Sequence, residues 1–226
     1  MNIVDIGAHP DDLEIFAYGF LAAASSRGDN LILGVATDGA AGGINQGAEL
    51  AKQRADEARD GLAALGTPTL LDLPDGQLAD APNARNYIKD FIRNAAPDLV
   101  ITHAPEDYHP DHRALSAYVR DAAGFICPVL FCDTLMGVGF TPDYYVDITP
   151  HFAAKQNAIM AHHSQDPSRF ASASAIMNRF RAAQCNAPDG NYAEAYRLDS
   201  RFPSLHTIML APSPLFRPLR EPAFSE

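Results

Sequence analysis

The 226-residue sequence has no tryptophan, only three cysteines and no long apolar run. Because Cys127, Cys132 and Cys185 are too few for a disulfide framework, we predict that they are reduced thiols. The spacing C-P-V-L-F-C is not that of a zinc knuckle, so these thiols are given no metal role. No run reaches the ~18 apolar residues of a membrane span, and no export signal is recognisable. We therefore expect a cytoplasmic protein.

Basic residues are scarce, with 17 Lys and Arg against 28 Asp and Glu and a formal net charge of −11. An excess of negative charge opposes nonspecific binding to nucleic acid and to anionic membrane surfaces. The expected partner is a small molecule, with a homo-oligomer left open. Charge within a cleft can oppose the overall sign, so the net charge does not define the substrate.

Strand and helix patterns alternate through the first two-thirds of the chain. The predicted strands are at residues 3–7, 31–37, 70–73 and 99–103. Each precedes a helical pattern, the first of which covers residues 13–27. Repeated strand–helix units predict a mainly parallel sheet with helices on both faces, a three-layer, Rossmann-like α/β fold.

Beyond residue 125 the pattern is looser. The possible further elements are strands at 129–133 and 144–148, helices at 150–162 and 168–183, and uncertain segments at 192–198 and 207–210. We predict one domain over residues 1–205, with a core at 1–125 and a smaller C-terminal lobe at 126–205. A proline-rich tail is predicted at 206–226.

The two densest groups of polar residues follow the first and fourth predicted strands. H-P-D-D occupies residues 9–12, and H-P-D-H occupies residues 109–112. In the common strand order 3-2-1-4, strands 1 and 4 are neighbours, and open parallel sheets bind ligands beyond the carboxyl ends of their strands. We therefore expect both motifs to face one crevice at that edge of the sheet.

His9 and Asp12 have a spacing that suits a metal site. Residues three apart share a face where a loop enters a helix, and catalytic zinc takes three protein ligands and keeps a fourth position open. His112 is the predicted third ligand, and His103 is its rival. Two imidazoles and one carboxylate favour one Zn²⁺ per chain, with Fe²⁺ or another divalent metal as the alternative.

The other polar residues of the two motifs supply the groups that hydrolysis needs. Because a metal lowers the pKa of a bound water from ~15.7 towards ~7, Asp11 can act as the general base. His109 can donate a proton or a hydrogen bond to a reacting amide, and Asp111 can hold that imidazole in one tautomer. A simpler interpretation stays open, because Asp11, Asp12 and Asp111 can also cap the helices that follow.

Seven segments match a known family in their order along the chain. They are A-H-P-D-D-L-E at 8–14, R-A-D-E-A-R-D-G-L-A-A-L-G at 54–66, L-P-D-G-Q-L at 73–78, H-P-D-H at 109–112, V-D-I-T at 146–149, K-Q-N-A-I-M-A-H-H-S-Q at 155–165 and N-Y-A-E-A-Y at 191–196. Together they resemble the PIG-L/LmbE family of zinc-dependent N-acetylglucosaminyl deacetylases. The resemblance is strongest for the bacillithiol-type deacetylases, which act on an N-acetylglucosamine linked to malate.

The resemblance implies the same roles for the residues of the two motifs, with His109 stabilising the tetrahedral intermediate. It adds Arg54 and His162 as substrate-binding residues, since a guanidinium can pair with a carboxylate or phosphate or bind sugar hydroxyls. The alternative for Arg54 is a solvated helix charge paired with Glu57 or Asp56. The alternative for His162 is packing in the core or in an interface.

One loop departs from the family's pattern. The family often has T-x-G-E-x-G after the second strand, whereas this chain has T-D-G-A-A-G-G at 37–43, with Ala40 at the acidic position. That loop borders the sugar site that the resemblance implies, so the substrate can differ from that of the bacillithiol-type enzymes. The glycines do not follow the first strand or form G-x-G-x-x-G, which argues against dinucleotide binding.

The predicted activity is that of a zinc-dependent N-deacetylase. It would remove the acetyl group from an N-acetylated amino sugar, an N-acetylglucosamine conjugate, through a metal-activated water. The alternatives are an amidase acting on a larger amide such as a thiol conjugate, and a metal-bearing sugar-binding protein without catalysis. A metal phosphoesterase usually has two metals and more carboxylate ligands than these motifs offer.

Overall fold

The computed structural model describes residues 1–43 and 45–201. Seven strands form one sheet in the order β3-β2-β1-β4-β5-β7-β6. The strands are β1 (Asn2–Gly7), β2 (Asn30–Thr37), β3 (Thr69–Leu73), β4 (Leu99–Thr102), β5 (Val129–Cys132), β6 (Tyr144–Asp147) and β7 (Ala193–Leu198). The pairs among β1 to β5 are parallel, and β7 is antiparallel to both β5 and β6. The predicted α/β fold and the order 3-2-1-4 are confirmed.

Helices cover both faces of the sheet, because alternate residues of a buried strand point to opposite sides. The helices are α1 (Asp12–Phe16), α2 (Tyr18–Ser26), α3 (Ala48–Leu62), α4 (Ala84–Asn94), α5 (Pro110–Ala123), α6 (Phe152–Met160) and α7 (Pro167–Gln184). In β1, Ile3 belongs to the core that α1, α2 and α6 cover. Val4 and Ile6 belong to the opposite core, under α4 and α5. The result is the predicted three-layer arrangement.

The single helix predicted over residues 13–27 is instead two helices, α1 and α2. The chain bends at Ala17, where φ is −137°, and α2 begins at the next residue. The bend leaves the backbone N–H groups of Gly19 and Phe20 free to donate to the carboxylate of Glu194 on β7, at 2.9 and 2.8 Å. A buried carboxylate from the far end of the chain thus caps α2, which the local periodicity could not indicate.

The C-terminal part completes the same sheet through β5, β6 and β7 and adds α6 and α7 beside it. The predicted tail at 206–226 and the uncertain segment at 207–210 lie outside the described residues. The division of the chain at residues 125 and 205 stays a prediction. Across residues 1–43 and 45–201, no helix is both long enough and apolar enough to cross a membrane.

Candidate active site

The polar side chains converge at the carboxyl edge of the sheet. The H-P-D-D motif connects β1 to α1, and the H-P-D-H motif connects β4 to α5. Because β1 pairs directly with β4, the two motifs meet, as predicted. The loop after β3 adds Asp75, and α3 adds Arg54. Together these elements line a cleft of about 270 Å³.

Three donor atoms of the predicted ligands form a nearly equilateral triangle. Nδ1 of His9 lies 3.2 Å from Nε2 of His112. Oδ2 of Asp12 lies 3.4 Å from each of these nitrogens. A tetrahedral zinc site with bonds of about 2.0–2.1 Å has edges of about 3.3–3.4 Å. The triangle therefore has the size that a tetrahedral cation requires.

The electrostatics of the triangle also suit a cation. Burial raises the pKa of Asp12, but the charge of His112 outweighs this effect and holds that pKa well below its usual range. Burial lowers the pKa of His112, but Asp12 and Asp107 raise it to about 9. Asp12 is thus ionised, and His112 attracts a proton that a metal ion would replace.

His103, the alternative third ligand, contacts both Asp12 and His112. Its Nε2 is 3.0 Å from Oδ2 of Asp12, and its ring stacks on that of His112 with centroids 3.7 Å apart. Asp12, His103 and His112 could therefore also hold a metal. However, the backbone N–H of Ala8 donates to Nε2 of His103 at 3.0 Å and occupies its lone pair. This contact favours His9 as the ligand.

Two carboxylates orient the ring of His9 from its other side. Nε2 of His9 lies 3.2 Å from Oδ1 of Asp75 and 3.4 Å from Oδ2 of Asp111. A proton on Nε2 leaves the lone pair of Nδ1 directed at the triangle. Asp111 also accepts the backbone N–H groups of Gly76 at 2.7 Å and Leu78 at 3.1 Å, which fixes its carboxylate.

These contacts correct the predicted partner of Asp111. We expected its carboxylate to orient His109, but it faces His9. The link to His109 is through the backbone instead, since the N–H of Asp111 donates to Nδ1 of His109 at 3.3 Å. This bond makes His109 the N-cap of α5.

Asp75 and Asp107 are functional candidates that the sequence analysis did not identify. Oδ2 of Asp107 lies 3.2 Å from Nδ1 of His112, the nitrogen directed away from the triangle, but the two atoms are not aligned for a hydrogen bond. Asp75 lies in the L-P-D-G-Q-L segment, and Asp107 lies two residues before the second motif. Closeness in sequence to these segments was the one sign that Asp75 and Asp107 have a function. Neither residue has a fixed spacing to a histidine that would have identified its partner.

Asp11 and Arg54 form an ion pair beside the triangle. Oδ1 of Asp11 lies 3.2 Å from Nη2 of Arg54. Burial raises the pKa of Asp11 above its usual value, and the charge of Arg54 opposes this rise. Arg54 is only 3% exposed and donates to the backbone oxygens of Gly39 and Pro10. It is therefore not the solvated helix charge that composition favoured.

His109 also lines the cleft. Its ring meets that of His9 edge to face, with centroids 4.6 Å apart. Burial and the neighbouring charges of His9 and His112 lower its pKa. Because Nδ1 accepts the N–H of Asp111, the ring proton lies on Nε2, where it can be donated.

His162 lies behind the cleft and does not line it. It is buried, and its Nε2 is 2.9 Å from Oε1 of Glu14 on α1. The cleft is reached instead by Gln165, three residues further along. Glu57 accepts the backbone N–H and the hydroxyl of Ser164, at 2.9 and 2.6 Å, and so fixes the turn that carries Gln165.

Comparison with known proteins identifies a family, relatives in sequence and solved structures with the same fold. Diacetylchitobiose deacetylase from Thermococcus kodakarensis is 29% identical over 188 residues, covering 74% of this chain and 70% of that protein. The structure of N,N'-diacetylchitobiose deacetylase from Pyrococcus horikoshii with an inhibitor has a TM-score of 0.76 at 24% identity, covering 87% of this chain and 83% of its own.

The fold is shared with a protein of a different named activity. GalB, the 4-carboxy-2-hydroxymuconate hydratase from Pseudomonas putida KT2440, has a TM-score of 0.77 at 21% identity, covering 88% of this chain and 96% of its own. The fold alone therefore does not separate a deacetylase from a hydratase.

A family model described as PIG-L, GlcNAc-PI de-N-acetylase, matches residues 4–123, more than half of the chain and both motifs. The chain belongs to the PIG-L family.

Proposed function

We propose that this protein is a metal-dependent N-deacetylase that releases acetate from an N-acetylated amino sugar, an N-acetylglucosamine conjugate. The observation that carries the proposal is the triangle of donor atoms from His9, Asp12 and His112, flanked by a buried carboxylate and an imidazole. Amide hydrolysis requires a group that polarises the carbonyl, a base for water and a donor for the developing oxyanion. This site offers a candidate for each.

We assign one divalent cation to His9, Asp12 and His112, with Zn²⁺ as the first choice. Three protein ligands of this kind are typical of catalytic zinc, and the same set suits Fe²⁺. A cation bound there would lower the pKa of a water and polarise the acetyl carbonyl. Asp75, Asp111 and Asp107 would hold the two imidazoles in the tautomers that binding requires.

Asp11 is assigned as the general base. Its carboxylate takes a proton from the water as the water oxygen attacks the acetyl carbon. A carboxylate whose pKa is raised by burial is a stronger base than an ordinary aspartate, and Arg54 at 3.2 Å favours its ionised form. The proton then passes to the amine nitrogen as the carbon–nitrogen bond breaks.

His109 is assigned as the donor to the oxygen of the tetrahedral intermediate. Its Nδ1 is occupied by the N–H of Asp111, which leaves the Nε2 proton for the substrate. Arg54 is proposed to contact the sugar or its aglycone, since its side chain also lines the cleft. His162 would act on the site through Glu14 rather than by touching the substrate.

An acetylated sugar fits the cleft better than a polycarboxylate does. Asp11, Asp12 and Asp75 line it, and Arg54 is the only arginine or lysine among its lining residues in the described part of the chain. This balance disfavours the carboxylate-rich compound named for GalB. The diacetylchitobiose deacetylase relative supports a sugar substrate. The bacillithiol-type substrate is a finer hypothesis that the same balance disfavours, because malate carries two carboxylates. Ala40 is the position at which this chain departs from the family's pattern.

The test is acetate release from a panel of N-acetylamino sugars by protein of measured metal content. The panel contains N-acetylglucosamine, diacetylchitobiose, and malate and inositol conjugates, with His112→Ala as the control. We expect release from at least one member, in proportion to bound metal, and none from the control. Absence of release by protein that holds one metal per chain would overturn the proposal and favour cleavage of a larger amide.

A further inference from the structure

The lining of the cleft combines polar and apolar side chains. Arg54, Asp75 and Gln165 are among the polar residues. Four large apolar and aromatic residues also line the cleft, and we call them the apolar wall: Phe16, Tyr108, Leu135 and Phe170. Ligand sites commonly combine an apolar lining with a few polar groups that fix orientation. The lining therefore suits a ligand that has a polar part and an apolar part.

Within the apolar wall, Phe16 packs against the core that α1, α2 and α6 cover, whereas Leu135 and Phe170 belong to neither core of the sheet. Phe16, Leu135 and Phe170 pack against a small separate cluster of Ile15, Ile159 and Ala171, and they remain only partly buried. Tyr108 is 57% exposed. Side chains of this size gain free energy when a ligand covers them. The fold therefore leaves apolar area uncovered inside the cleft itself.

The acetyl group covers only a small part of this wall. In the proposed reaction the acetyl carbon lies at the triangle, where the ring of Phe16 is 6.0 Å from that of His112. Leu135 belongs to a short turn at Leu135–Gly137, and Phe170 belongs to α7. Beyond Leu135, Met136 is 49% exposed. The wall thus continues past the place of a single methyl group.

We propose that the apolar wall binds an apolar aglycone. The substrate is then an N-acetylated amino sugar with an alkyl or aryl group at its glycosidic position, rather than a free sugar or one linked to a second sugar. This inference rests on the proposed function and narrows its substrate class. A recess of about 20 Å³ beside the cleft shares Ile15, Phe16 and Leu135 with it. Met136 and Met177 border this recess next to polar residues such as Asp133 and Asn178, and methionines adapt to groups of varied shape.

The test compares methyl and octyl glycosides of N-acetylglucosamine, both anomers, with diacetylchitobiose. Because each buried methylene contributes favourably to binding, we expect kcat/KM for the octyl compound to exceed that for the methyl compound by about tenfold or more. Diacetylchitobiose should remain near the methyl compound. Equal rates for methyl and octyl glycosides would overturn this inference alone. Acetate release from none of the compounds would overturn the proposed function together with it.

A matched pair of variants tests whether the preference for the octyl glycoside comes from the apolar wall. Phe170→Ser should reduce the octyl-to-methyl ratio to about unity, whereas Phe180→Ser, on the same helix and outside the cleft lining, should preserve it. If Phe170→Ser lowers the thermal midpoint, Leu135→Asn serves as the second variant and should reduce the ratio in the same way. An unchanged ratio in a folded variant of Phe170 or Leu135 would contradict the assignment.

Discussion

Nε2 of His9 lies 3.2 Å from Oδ1 of Asp75, although the two residues come from different loops of the sheet edge. The carboxylate faces the nitrogen that is directed away from the triangle of donor atoms. It therefore selects the tautomer in which Nδ1 of His9 is free to bind a cation. Asp107 lies at the same distance from the outward nitrogen of His112, without the alignment of a hydrogen bond.

Replacement Asp75→Asn is expected to weaken metal binding about ten- to a hundredfold, the range typical of partners that orient ligands. The amide keeps the shape but no longer increases the basicity of the imidazole. Competition with a chromogenic chelator measures the affinity directly. Asp121→Asn, at an exposed position on α5, is the control and should leave the affinity unchanged. Equal affinities in the two variants would refute a positioning role for Asp75.

Asp11→Asn and His112→Ala should separate chemistry from metal binding. Asp11→Asn is expected to retain metal and to lose about a hundredfold or more in kcat, because the base is absent while the ligands remain. His112→Ala should lose both metal and activity. Metal analysis and acetate release on the same preparations give the result. Full activity in Asp11→Asn would remove the assignment of the base.

Gly42→Ala should disturb Arg54 without changing the fold. A Cβ at residue 42 would lie 2.2 Å from Nη1 of Arg54 and 3.2 Å from Oε1 of Gln165, so the guanidinium must move. We expect kcat/KM to fall about tenfold or more, since small displacements of positioning groups are costly. Gly43→Ala is the matched control, because among the described residues its Cβ would approach Leu50, at an ordinary distance of 3.4 Å. Similar kinetics for both variants would argue against a role for Arg54.

Asp5→Asn tests the pH dependence of stability. Asp5 is buried in β1, and burial, followed by Glu194, Asp12 and Glu14, raises its pKa well above the usual value. A folded pKa above the unfolded value means that stability falls as the pH rises from about 4 through the folded pKa. Asparagine does not ionise, so the variant should gain about 1.4 kcal/mol over the parent for each unit of that difference. Urea unfolding of the metal-free proteins from pH 4 to 8 measures this slope, with the exposed Asp90→Asn as control.

The proximity of the two motifs could be predicted because it depends on local rules. His9 and Asp12 share one loop, and the order of strands in repeated strand–helix units is restricted, so His112 was expected nearby. The roles of Asp75 and Asp107 could not be predicted, because they depend on loop conformations with no periodic signal. The role of Arg54 was ambiguous for a similar reason. Its side chain donates to the backbone oxygens of Gly39 and Pro10, which lie in other loops, and side-chain patterns in the sequence do not indicate such contacts.

Because the carboxylate of Glu194 caps α2, the N-terminal half of the chain depends on a residue of the C-terminal half. The H-P-D-D and H-P-D-H motifs both lie within residues 4–123, the part that the family model matches. Yet Glu194, which also accepts Nζ of the buried Lys155 at 2.7 Å, belongs to the last described strand. A chimera that joined the first half to a foreign C-terminal half would leave two amides of its first long helix without an acceptor. The C-terminal half therefore stabilises the helix that follows the first motif, and it also supplies Leu135, Gln165 and Phe170 to the cleft.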